Sequence, residues 1–352
     1  MRLLLFDSSG MYPSNPLFAD ALSYVGRECG FQHEWLDEAE FLNPRSATYF
    51  DKAFRRLSGR RPLQYWKLNR KFTKVALEYR PDVVLITSGK YLSPAAIRSV
   101  KEETGALLVN YATDDPFNRA VSTSMFRRAI PYYDLYACTK KAIIDDVRKA
   151  GCSNAIYVPF AYKPEIHFRE CAQSSEERRR FSSDIVFIGG CDRDRLPYIA
   201  AMVRAMPNVR LHLYGGFWNR HLALRKYYRG FALGREFRLA VGGAQIVFNL
   251  VRRANRDDHV MRTFEIPACG GFMLADKTDE QCALLAEDKE ATYFSSTEEM
   301  VDKIRYYLVH DSERRRIAEA GYRRITSGRN TYGDRLKTII ETVRRGSALV
   351  GL

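Results

Sequence analysis

The chain has 352 residues, 46% of them hydrophobic, enough to bury two cores. A mean hydropathy of −0.35, with no apolar run near the ~20 residues a spanning helix needs, excludes a helical membrane protein. The formal net charge of +14 calls for an acidic partner, but the basic clusters are dispersed and match no nucleic-acid-binding motif, so nucleic acid is not the expected one.

The first seven residues open on an apolar run too short for a signal peptide. Arg2–Phe6 reads instead as a buried strand, so a cytoplasmic protein is expected. A loop at Asp7–Pro16 leads to a helix ending near Cys29 and a strand at Phe31–Leu36. Residues 44–80 are aromatic, basic and helical in period. Strands then follow at Asp82–Thr87, Ala106–Tyr111, Leu135–Thr139 and Ala155–Val158, with helices at Pro94–Glu103, Val121–Ile130 and Lys140–Ala150 between them. Strands spaced by helices of this length predict βαβ units and a parallel sheet.

Residues 169–183 are polar and without apolar period, and read as a linker. A second βαβ series follows, with strands at Asp184–Ile188, Val209–Tyr214, Gln245–Leu250, Phe272–Leu274 and Thr292–Phe294. Helices are expected at Leu196–Met206 and Arg262–Cys269. A capping box, Ser296-Thr297-Glu298-Glu299, opens another that runs to about Val309. Helices at Ser312–Thr326 and Tyr332–Arg345 close the chain. The expected organisation is an N-terminal Rossmann-like domain at 1–168, a linker at 169–183, a second Rossmann-like domain at 184–330 and a C-terminal helix at 331–352 able to pack back on the first domain. Seven scattered cysteines without a Cys-x-x-Cys fit neither a disulfide framework nor a zinc site.

Ligands of open parallel sheets bind beyond the carboxyl ends of the strands. Those ends carry Asp7, Asp114-Asp115-Pro116, Gly189–Arg195, Gly215–Trp218 and Asn249–Thr263. The densest of these segments holds Asp257, Asp258, His259 and Arg262, followed by Glu265. A carboxylate there can accept two ribose hydroxyls, and an arginine can neutralise a diphosphate without a metal. Asp192-x-Asp194 looks like a metal-binding pair, but it follows a Gly-Gly turn at the opening of the second domain, and no metal is expected there. Arg193 and Arg195 beside it are candidates for phosphate contact.

The run Met261-Arg262-Thr263-Phe264-Glu265, Ala268-Cys269-Gly270-Gly271 and Phe272–Asp276 resembles the C-terminal signature of CgeB-like glycosyltransferases. These are relatives of the glycogen-synthase-like group with the GT-B fold. The likeness continues through Tyr293-Phe294, Glu298-Glu299, Tyr307-Leu308 and Arg316–Gly321, and covers about residues 184–340. It implies an α/β GT-B enzyme, two Rossmann-like domains with parallel sheets facing across a cleft. Such an enzyme moves a sugar from a nucleotide diphosphate sugar to a glycan, lipid-linked or protein acceptor. The nucleotide sugar is a co-substrate, and no cofactor is implied.

By the same resemblance Glu265 holds the ribose, Arg262 lies near the phosphates, and Gly189-Gly190 lets the diphosphate approach the backbone. Thr263, Gly270, Gly271, Arg193 and His259 complete the donor side. Asp257 takes the first position of the related group's Glu-x7-Glu, a departure to the shorter carboxylate. His259 also fits a packing or capping role, and Arg262 a structural ion pair. Asp114, Asp115 and Asp7 are the candidate catalytic bases, with an Asp-Asp-Pro helix cap as the alternative for the pair. The stretch Arg55 to Phe72 mixes basic and aromatic residues as surfaces that meet anionic membranes do, and equally suits a buried amphipathic helix with basic edges. The rival readings are a nucleotide-sugar epimerase on the same fold and a non-enzymatic binder of anionic polymers.

Overall fold

A computed structural model describes residues 1–7, 16–41, 49–58 and 61–350. Most of the expected Asp7–Pro16 loop, and residues 44–48 and 59–60 of the basic stretch, lie outside the described residues. The chain divides into two compact units. The first is Met1–Pro159 together with the segment from Tyr332 onward, and the second is Phe160–Thr331.

The first unit contains β1 (Arg2–Asp7), α1 (Ala19–Cys29), β2 (Gln32–Asp37), α2 (Tyr49–Leu57), α3 (Tyr65–Tyr79), β3 (Val83–Thr87), α4 (Pro94–Thr104), β4 (Leu107–Ala112), α5 (Ser124–Ala129), β5 (Leu135–Cys138), α6 (Ile144–Lys149) and β6 (Ala155–Tyr157). Its six strands pair in parallel in the order β2-β1-β3-β4-β5-β6. The continuous apolar runs Leu3–Phe6 and Val83–Ile86 are wholly buried, as a sheet covered on both faces requires. The period over 44–80 resolves into two helices, because Pro62 supplies no backbone N–H to an intervening turn. The helix expected at Lys140–Ala150 begins with a 3₁₀ turn at Lys141–Ile143 and becomes α-helical only from Ile144.

The second unit contains α7 (Ser175–Phe181), β7 (Ser183–Ile188), α8 (Leu196–Ala205), β8 (Leu211–Tyr214), α9 (Arg235–Gly243), β9 (Ala244–Asn249), α10 (Arg262–Ala268), β10 (Met273–Asp276), α11 (Asp279–Leu284), β11 (Thr292–Phe294), α12 (Thr297–Val309) and α13 (Asp311–Thr326). Its five strands are also parallel, in the order β11-β10-β9-β7-β8. The chain then ends in α14 (Tyr332–Val350), which packs on α1 of the first unit.

The expected linker at 169–183 is instead part of the second unit. Ser174 and Glu177 form a capping box that opens α7, and Phe181 is buried at its end. Arg235 and Arg238 of α9 bind Glu170 and, for Arg235, also Glu177. The stretch looks structureless in sequence because its order comes from ion pairs with residues some 60 positions away. The division between the units falls at Pro159, before that stretch rather than within it.

Candidate functional site

Arg262 opens α10 close to the carboxyl end of β7. Its Nε donates to the Ile188 carbonyl at 3.1 Å, and its guanidinium lies over the Phe237 ring with the centroid 4.6 Å away. Its Nη1 pairs with Glu265 Oε2 one turn further on. Glu265 is wholly buried, whereas the Arg262 side chain is 28% exposed. The second carboxylate oxygen, Oε1, makes no hydrogen bond and lies 3.5 Å from His167 Nε2.

His167 comes from the loop after β6 and was not singled out in sequence. The Lys163 N–H donates to its Nδ1 at 3.1 Å, so the neutral ring carries its proton on Nε2, facing Glu265. Burial, reinforced by Arg262, Lys163 and Arg238, holds its pKa down at about 3. The trio is therefore a cation, an anion and a neutral imidazole. Nothing in the sequence beyond a histidine between apolar Ile166 and Phe168 could have marked it.

Asp257 is buried and accepts from Arg252 Nε at 3.2 Å and Asn255 Nδ2 at 2.9 Å. These two donors hold it within its own loop. His259 is buried with both ring nitrogens engaged. Phe160 N–H donates to Nε2 at 3.1 Å, which leaves the proton on Nδ1 for Glu280 at 2.7 Å. The ring thus fastens the loop to α11 and to the chain at Phe160. Thr263 is likewise fully buried. Its hydroxyl donates to Gln281 Oε1 at 3.0 Å and accepts from Asn249 Nδ2 at 3.2 Å. Neither side chain presents a polar atom to a donor in this arrangement.

Gly189 and Gly190 follow β7 at the ligand edge of the sheet. A Cβ on Gly215, at φ +119°, would lie 2.4 Å from the Gly189 carbonyl oxygen, so only glycine permits the two turns to meet. Trp218 Nε1 donates to that same oxygen at 2.8 Å. Gly270-Gly271 were expected beside the donor but stand just before β10, at the amino end of the strands. A Cβ on Gly271 would strike Val241 at 2.6 Å, so this glycine serves close packing of α9 on the sheet. Arg193 is exposed on the loop after β7. Arg195 is a brace, donating to the carbonyls of Leu250 (3.1 Å) and Gly190 (3.3 Å).

Asp192 accepts from the N–H groups of Asp194 and Arg195, and Asp194 from that of Ala254. Both carboxylates of the metal-like pair are thus engaged with backbone donors. Among the described residues no group of three or more His, Cys, Asp and Glu side chains is placed to hold a metal ion. Asp276 ends β10, where burial pushes its carboxyl up to about 6 despite the Val251 N–H and Arg253.

In the first unit Asp7 is buried and accepts from the Phe18 N–H at 2.9 Å, just ahead of α1. Asp115 is buried and accepts from the Phe117 N–H at 2.8 Å, the turn-capping geometry. Asp114 pairs with Lys90. Asp7 and Asp114 line one pocket of about 270 Å³ with Leu17, Glu38, Thr87, Ser88, Lys90, Tyr91 and Thr113. Asp115 is not among its lining residues. Glu38 was missed because β2 was ended at Leu36, although it stands at a strand's carboxyl end as Asp7 does.

The basic stretch presents Tyr49, Phe50 and Leu57 of α2 and Trp66 of α3 to solvent. Arg61 lies over the Tyr65 ring and Lys67 over that of Trp66. Among the described residues no helix is long and apolar enough to cross a membrane.

Residues 195–341 match the model of the glycosyl transferase-like family. The chain also resembles solved structures along nearly its whole length. HepE from Anabaena, solved in complex with UDP-glucose, has a TM-score of 0.63 at 14% identity, covering 98% of this chain and 100% of that one. Sucrose-phosphate synthase from Thermosynechococcus elongatus gives 0.68 at 11%, covering 99% and 100%. AviGT4, a glycosyltransferase involved in avilamycin A biosynthesis, gives 0.54 at 14%, covering 98% and 97%. No curated protein matches by sequence.

Proposed function

We infer that the chain, which has the GT-B fold and matches the glycosyl transferase-like family model over residues 195–341, is a glycosyltransferase. We propose that it transfers a sugar from a nucleoside diphosphate sugar to a hydroxyl acceptor, and that Arg262 and Glu265 grip the donor. The order of the motifs from Arg262 to Asp276 supports a place in the CgeB-like branch.

One observation carries the assignment of the pair: a wholly buried glutamate with one oxygen lacking a hydrogen bond, covered by a partly exposed arginine at the ligand edge of a parallel sheet. A buried ion pair is stable while both partners stay, and costly once one is left alone. The donor supplies replacements for both. Its diphosphate draws the Arg262 guanidinium outward, and the ribose hydroxyls take the place of that guanidinium on Glu265. His167, uncharged, keeps the carboxylate in place without competing for the phosphates. Arg193 adds a second cation to the phosphate side. The proposed chemistry uses these arginines against the diphosphate charge and no further cofactor.

Isothermal titration with UDP, GDP, dTDP and their sugars tests the reading and names the nucleotide. Release of free nucleoside diphosphate with a glycosylated product marks a transferase. A new sugar isomer with the nucleotide retained marks an epimerase.

The acceptor is a glycan, lipid-linked molecule or protein. The exposed aromatics of α2 and α3 beside Arg55, Arg56 and Lys67 support peripheral contact with an anionic membrane on the cytoplasmic side. Co-sedimentation with phosphatidylglycerol vesicles checks this. Binding is expected to fall severalfold in Phe50→Ser and to vanish with phosphatidylcholine alone.

A further inference from the structure

Strands β2, β1, β3 and β4 are consecutive neighbours in the first sheet, and each ends in a residue lining the 270 Å³ pocket or is followed at once by one. Glu38 follows β2, Asp7 and Thr87 end β1 and β3, and Thr113-Asp114 follow β4. At ~30 Å³ per water the pocket holds about nine waters, the bulk of one sugar ring and less than a nucleotide sugar needs.

Two of its lining residues, Glu38 and Thr87, each carry a buried oxygen, Oε1 and Oγ1, that has no hydrogen-bond partner. Unsatisfied buried polar atoms are uncommon, and two in one pocket mark a place for a ligand. The backbone between these strands is also strained. Ser88 sits at φ +59°, where its carbonyl accepts from Asn110 Nδ2 at 3.0 Å and its hydroxyl meets Thr113 Oγ1 at 3.1 Å. Strain held in place by surrounding hydrogen bonds is typical of binding sites.

The charges select the ligand. Asp7, Glu38 and Asp114 are carboxyl groups, and the cation among the lining residues, Lys90, already pairs with Asp114. A phosphate or carboxylate entering here meets like charge, and among the described lining residues the cation, Lys90, is already paired. A neutral hydroxyl, which both donates and accepts, matches a carboxyl oxygen and a threonine hydroxyl at once. We propose that this pocket is the acceptor subsite and takes a neutral hydroxylated ring, read by Glu38 and Thr87. The proposal rests on the transferase reading. Burial, with Asp7 and Asp37 adding to it and Lys90 opposing it, pushes the Glu38 carboxyl up to about 7. Near neutral pH it is therefore present both as acceptor and as donor.

The test uses the full chain and saturation-transfer NMR with titration. The probes are the methyl glycosides of glucose, galactose, mannose and N-acetylglucosamine, against glucose 6-phosphate and mannose 6-phosphate. At least one neutral glycoside is expected to bind, and more tightly than either phosphate. Glu38→Ala should weaken it about tenfold or more, and Thr87→Val, which keeps the shape, about fivefold. Circular dichroism confirms folding. Should Glu38→Ala unfold, Glu38→Gln and Thr87→Val carry the comparison. Preferential binding of the phosphates, binding of no neutral glycoside, or unchanged affinity in the variants overturns the proposal. UDP-glucose titrated into the same samples separates the two readings. Glycoside binding without nucleotide binding removes the transferase assignment and leaves a sugar-binding pocket, whereas the reverse removes only the pocket.

Discussion

The carboxyl ends of the two sheets solve one problem with opposite charges. Each buries a carboxylate with one oxygen that lacks a hydrogen bond, Glu265 in the second unit and Glu38 in the first. Around Glu265 the protein supplies a directly bonded guanidinium, Arg262, and a neutral histidine, with Arg193 and Arg253 exposed on the neighbouring loops. Around Glu38 it supplies two further carboxylates and a lysine committed elsewhere. A shared strand order, with a sixth strand added in the first sheet, therefore gives one edge suited to an anion and another suited to a neutral polyol. The chemistry resides in the loops that a shared scaffold presents.

The comparison breaks most sharply at Glu265. Glu265→Ala is expected to lower donor affinity about 100-fold with the fold retained, since it removes charged hydrogen bonds to the ribose. Titration with the cognate nucleotide sugar measures this, and equal affinity in the variant takes Glu265 out of the site. Next in size is Arg262→Ala, which leaves the Glu265 charge buried and is expected to cost about 2–3 kcal/mol in urea unfolding. The double variant Arg262→Ala/Glu265→Gln should recover much of that loss, and a purely additive result would sever the coupling.

The first-unit edge is sharpened by pH. Because the Glu38 pKa is raised from 4.5 to about 7, its contribution to stability is fully present below pH 4.5 and is lost as pH rises through 7. Glu38→Gln should therefore be more stable than wild type by up to about 3 kcal/mol at pH 8 and nearly equal to it at pH 4. A pH-independent difference contradicts a buried, titrating carboxyl. The smallest effect is expected at Asp194→Ala, which loses one bond to the Ala254 N–H and should lower stability by about 1 kcal/mol. A much larger loss of activity than of stability there would give Asp194 a role in the chemistry.

The fold was largely legible because buried parallel strands are short continuous apolar runs, and Leu3–Phe6, Val83–Ile86 and Ile185–Ile188 announce themselves. Helix α9 at Arg235–Gly243 was not read, since its two terminal glycines and its arginines resemble a loop and its buried Phe237 and Leu239–Val241 form a short stripe. α7 reads as a linker for a different reason: it is polar, and the ion pairs that order it reach α9 some 60 residues on. At the site, Arg262 and Glu265 were found from the motif, three residues apart on one helical turn. Gly270-Gly271 were assigned to the donor because proximity in sequence was taken for proximity in space. One crossover helix carries the chain from the carboxyl edge of the sheet to its amino edge. His167 escapes a reading of the sequence because its neighbour Glu265 is 98 residues away and no local pattern records such a pair, and Glu38 because the expected β2 ends two residues before it.

By itself the sequence determined the alternation of strands and helices, the two parallel sheets and hence which loops gather at their carboxyl ends, because burial and chain direction are written in local apolar periodicity. Tertiary structure alone decided which charged groups in those loops meet. It set His259 and Thr263 inside buried networks, left Glu265 and Glu38 each with an unsatisfied oxygen, and moved the Glu38 pKa, since desolvation and charge pairing depend on neighbours that only folding brings together.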